Sequence, residues 1–101
     1  MSQIKFDAKH NDRDVEVITG WDPPLGYFHL TIFLKNPKEN EDEVIFSEFD
    51  TLGFCRNLKE IENVLIQFNI SIPPRTLDLV REKEGSVVYK FDGKGYKRYG
   101  I

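Results

Sequence analysis

The chain has little of what small proteins commonly use for chemistry or for covalent bracing. Its 101 residues include one cysteine, one methionine, one tryptophan and two histidines. A single cysteine, Cys55, cannot close an internal disulfide, which leads us to expect a reducing, cytoplasmic setting. No apolar run approaches the twenty or so residues that a membrane helix needs. The opening Met1-Ser2-Gln3-Ile4-Lys5-Phe6 has no apolar core of a secretory signal. Catalytic signatures are missing as well: there is no P-loop, no His-Glu-x-x-His, no Cys-x-x-Cys and no Gly-x-Ser-x-Gly. We therefore expect no cofactor and no metal.

What is present is a globular composition, 40% hydrophobic and 31% charged, with 13% aromatic residues. That balance and length suit one domain spanning residues 1–101. Charge is unevenly placed. Residues 1–85 carry ten Lys/Arg against sixteen Asp/Glu, whereas residues 86–101 carry Lys90, Lys94, Lys97 and Arg98 against Asp92 alone. Glu39, Glu41, Asp42, Glu43, Glu48 and Asp50 form an acidic stretch with no base after Glu39. An acidic body repels phosphates and disfavours wrapping a duplex, while the basic end keeps a local exception.

Periodicity divides the chain in two. Asp14–Thr19, Tyr27–Leu34 and Val44–Phe49 alternate as strands, the second apolar on both faces and so expected to be covered on both sides. Ile4-Lys5-Phe6 reads as a short edge strand. Then the period changes: Leu58, Ile61, Leu65 and Phe68 recur at helical spacing. Asn57 with Glu60 supplies an N-cap and its partner, and Asn69 a left-handed stop. Pro73-Pro74 precedes a second short helix around Leu77, Leu79 and Val80. Val87–Phe91 is a further strand. Beyond it, residues 92–101 read as either the second half of a hairpin or a flexible basic tail. The expected fold is α+β: an antiparallel β-meander of three to five strands, then a helical hairpin on one sheet face, then a C-terminal strand or hairpin.

Gly20-Trp21-Asp22-Pro23-Pro24-Leu25 running into the aromatic strand at Tyr27-Phe28 resembles a Gly-Trp-Asp-x-Pro-Leu signature in small, uncharacterised bacterial proteins of similar length. Ile70-Ser71-Ile72-Pro73-Pro74 before a leucine-bearing helix is similar to their second half. The resemblance covers roughly residues 13–82 and implies a shared fold and no particular activity. Pro23 stands where that signature has a variable or basic residue, so the position offers no cation to an anion.

Several residues are candidates for function. Trp21, Asp22, Pro23, Pro24 and Tyr27 form a stiff loop whose only tryptophan would serve as an interface anchor, unless the ring folds back to cap the core. Lys90, Lys94, Tyr96, Lys97, Arg98 and Tyr99 interleave bases with rings, which suits an acidic protein partner or single-stranded nucleic acid. The plainer explanation is a strand with one aromatic face packed. His10, Asp12 and Asp14 would share a face in an extended chain and resemble a metal run, although a solvated turn explains them more simply. His29, within a strand, and Cys55, ahead of a helix N-terminus, are the remaining groups a small enzyme would use. The reading favoured by the sequence is a non-catalytic interaction module with a protein partner, or with a second copy of itself, because its acidic stretch and basic end are complementary. Nucleic acid is the alternative partner, and no membrane is involved.

Overall fold

The structure, a computed structural model, describes residues 2–23, 26–47 and 57–99. Pro24, Glu48, Asp50 and Cys55, singled out above, lie outside them. The fold is α+β: six strands in one mixed, largely antiparallel sheet, with two helices. In chain order these are β1 (Ser2–His10), β2 (Arg13–Asp22), β3 (Tyr27–Leu34), β4 (Val44–Ser47), α1 (Leu58–Gln67), α2 (Thr76–Arg81), β5 (Val87–Phe91) and β6 (Tyr96–Tyr99). Across the sheet they run β4-β3-β2-β1-β5-β6.

Three expectations need correction. First, β1 is not a short edge strand. It is nine residues long and sits inside the sheet, antiparallel to β2 and parallel to β5. Its length follows from a two-residue turn at Asn11-Asp12, both at positive φ (50° and 64°), the geometry that tight hairpins require. Second, that turn places His10 and Asp14 on different strands, so His10, Asp12 and Asp14 do not line one extended face. Third, Tyr96–Tyr99 is a strand paired with β5, and a tail does not begin at residue 92. Gly93, at φ 96°, opens the turn, and Asp92 secures it by accepting from the Lys94 and Gly95 N–H groups at 2.9 Å. With this C-terminal hairpin the sheet has six strands.

The helical expectations rest on local chemistry that is present. Asn57 is extended (φ −149°) and its side chain accepts from the Glu60 N–H at 3.0 Å, capping α1. Asn69 is left-handed at φ 56° just beyond the helix. Ile61 and Leu65 of α1, with Leu79 and Val80 of α2, are buried in one cluster with Ile4 and Phe6 of β1, Val15 and Val17 of β2, and Phe28, Leu30 and Ile32 of β3. Each such side chain contributes about 1.5–3 kcal/mol on burial. The residues between them on β1, β2 and β3 turn to the opposite sheet face. Of the described residues, no helix is long and apolar enough to cross a membrane.

Candidate interaction surface

Strand parity sorts the candidate residues. Trp21 follows Val15, Val17 and Thr19 in phase and so faces the helices. Its ring meets Phe28 edge-on at 4.9 Å between centroids, and the Lys83 ammonium lies 4.3 Å from its centre. Trp21 is half-buried against the core, which limits it as an anchor. The Asp22 carbonyl accepts from the Gly26 N–H at 2.7 Å, Pro23 is exposed, and Tyr27 is buried. The loop therefore sets the β2–β3 connection more than it displays a ring.

The histidines are held by backbone. His29, 6% exposed, donates from Nε2 to the Ser2 carbonyl at 2.7 Å. His10 donates from Nδ1 to the Phe68 carbonyl at 2.9 Å, packs at a tilt against the Phe68 ring with centroids 5.0 Å apart, and accepts from Asn11 on Nε2. Among the described residues no three His, Cys, Asp or Glu side chains gather as metal ligands.

The same alternation sorts most of the rings of the C-terminal hairpin from its lysines. Tyr89, Phe91 and Tyr96 turn to the helix side. Phe91 and Tyr96 pack at a tilt with centroids 5.3 Å apart, and the Tyr96 hydroxyl meets Thr76 Oγ1 at 2.5 Å, tying β6 to α2. Burial pushes the Tyr96 phenol above its ordinary value. Arg98, on that side, pairs with Glu84 at 3.1 Å and donates to the Tyr89 hydroxyl. Lys90, Lys97 and Tyr99 face the other way, and Lys94 is exposed in the turn.

On this second face the pairing aligns one row across all six strands: Lys97, Lys90, Lys5, Ile18, Thr31 and Ser47. Sequence reasoning missed it because the parallel pairing of β1 with β5 brings Lys5 beside Lys90. Three lysines directly opposite one another oppose folding. Only the middle one is fully answered: Lys90 bonds Glu16 at 2.5 Å and Asp7 at 3.0 Å. Burial alone would lower the Lys90 pKa, but the bonds from Glu16 and Asp7 outweigh it and hold the ammonium above its ordinary value. Lys97 lies 3.8 Å from Asp92 with its side chain 66% exposed.

The acidic stretch lies at the other end of the sheet, before β4. Glu41 there takes both Arg13 guanidinium nitrogens at 2.9 Å and the Lys38 N–H at 2.6 Å. These bonds, Arg13 first, hold its carboxyl down at about 2. Glu39, Asp42 and Glu43 are exposed beside it.

The chain matches no protein-family profile, no curated protein and no solved structure.

Proposed function

We propose that this chain is a non-catalytic protein-interaction or accessory module of a cytoplasmic bacterial system. The observation that carries the reading is the separation of charge to the two ends of one sheet: Glu39, Glu41, Asp42 and Glu43 lead into β4, and Lys97 and Arg98 lie on β6. Opposed charged edges steer encounter and fix the orientation of partners. In this reading β1–β4 act as a meander and α1–α2 as a helical hairpin, a scaffold that holds both edges while the Trp21 loop braces the connection between them. The lysine row supports a second reading, in which residues 89–99 bind single-stranded nucleic acid. That reading is weaker, because Tyr89, Phe91 and Tyr96 turn toward the helices, leaving Tyr99 as the ring on the lysine side, and the net charge is −3.

Affinity capture from nuclease-treated lysate tests the proposal, comparing the wild type with two charge reversals. One replaces Lys94, Lys97 and Arg98 with Glu, and the other replaces Glu39, Asp42 and Glu43 with Lys. A protein held by the wild type and lost with either reversal supports a module. Binding that disappears with nuclease moves the reading to nucleic acid, and an empty capture overturns both.

A further inference from the structure

We propose that the outer edge of β6 is a docking site for an extended acidic segment of another protein, which joins the sheet as a seventh strand. The inference rests on the module reading and names its partner by chemistry. Among the described residues β6 pairs only with β5, so its outer edge carries open backbone groups. Their identity follows from the turn. The Asp92 N–H bonds the Gly95 carbonyl at 3.0 Å, which makes these two the first hydrogen-bonded pair of the hairpin. Alternation then turns the backbone groups of Lys97 and Tyr99 inward to β5 and those of Tyr96 and Arg98 outward. An antiparallel strand would bond Tyr96 and Arg98.

The residue opposite Lys97 would then occupy a non-hydrogen-bonded position, with Cα atoms about 4.5 Å apart and side chains close. An acid there extends the row Lys97–Lys90–Lys5 with a nearer counter-charge than Asp92, which lies 3.8 Å from an ammonium whose side chain is 66% exposed. The next residue of the incoming strand faces Arg98 on the helix side, where Glu84 leaves the guanidinium side chain 52% exposed. A second acid fits that position. Tyr99, 53% exposed, and Tyr96 flank the pair and favour apolar neighbours. The edge thus selects the order apolar, acidic, acidic, apolar. Backbone bonds supply affinity in such strand addition, and side-chain positions supply choice.

Fluorescence anisotropy with a fluorescein-tagged eight-residue peptide centred on Val-Asp-Glu-Val tests this, beside the same peptide with Val-Lys-Lys-Val and a labelled oligothymidylate. The acidic peptide should bind, weaken with salt, and protect the Tyr96 and Arg98 amides from hydrogen exchange. Lys97→Glu with Arg98→Glu should weaken it at least tenfold and transfer preference to the lysine peptide. Lys97→Gln, a milder change, should weaken it severalfold in a chain shown to be folded. Failure of the acidic peptide to bind, equal binding of both peptides, displacement by oligothymidylate, or self-association at this edge in place of peptide binding would each overturn the proposal. A capture partner that survives reversal of the basic edge and is lost on reversal of residues 39, 42 and 43 leaves the module standing and removes this inference.

Discussion

Gly20 offers the sharpest test of the packing described above. It lies in β2 opposite His29, where the bond from His29 Nε2 to the Ser2 carbonyl crosses over it. A Cβ at this position would sit 2.2 Å from the Ser2 oxygen and 2.8 Å from His29 Nε2. The first of these is backbone and cannot rotate aside, so Gly20→Ala must displace the start of β1 or the imidazole. Overpacking of this kind costs about 1–3 kcal/mol. Stretching or breaking the buried His29 bond adds about 1–3 kcal/mol. Reduced entropy of the unfolded chain returns about 0.4–1 kcal/mol. The net expectation is a loss of about 1–5 kcal/mol, and a loss of about 3 kcal/mol lowers the melting temperature by roughly 12–24 °C in a chain of this size. Urea unfolding followed by circular dichroism would measure it, with thermal melts alongside. A loss under about 0.5 kcal/mol would refute the reasoning, since surface-like tolerance is incompatible with a backbone contact at that distance.

Two further outcomes are expected. In a carbon-13 titration the Glu41 carboxyl should have its midpoint near 2, and Arg13→Ala should move it back toward the ordinary 4.5. Because the folded-state value is depressed, the stabilisation from Glu41 is complete above the ordinary value and fades as pH falls toward about 2; a midpoint unchanged by Arg13→Ala would contradict the pairing. Trp21→Ala should destabilise the fold by about 2–3 kcal/mol, less than a fully buried tryptophan, because the ring packs on Phe28 while Lys83 covers its outer side. Unchanged unfolding would restore the exposed-anchor reading of the loop.

Local chemistry was legible in the sequence. The span of β3, the Asn57 cap and the Asn69 stop all follow from neighbours within a few residues. The missed features depend on distant partners or on strand length. Ile4, Phe6 and Ala8 already alternate, yet nothing local says that β1 runs to His10 or that β5 will lie beside it. Continuing β2 to Asp22 is what brings Trp21 into phase with Val15 and Val17; a strand ended at Thr19 leaves the ring unassigned. In the C-terminal segment the alternation of Tyr89-Lys90-Phe91 and Tyr96-Lys97 carried the answer. Interleaving along a strand is separation across a sheet.

The place of β1 has a consequence for the order of assembly. Strands β1 to β4 and the first helix come from contiguous sequence, but Ser2 lies beside Val87 and Lys5 beside Lys90. One side of β1 therefore waits, unpaired, until nearly the whole chain has been made. Contacts of such long sequence separation slow folding, because the loop must close before they contribute. During synthesis a nine-residue strand presents an open edge to any neighbouring nascent chain. The apolar rim of that edge, Ile4 and Phe6, makes the interval before β5 arrives the period in which this protein is most exposed to mispairing.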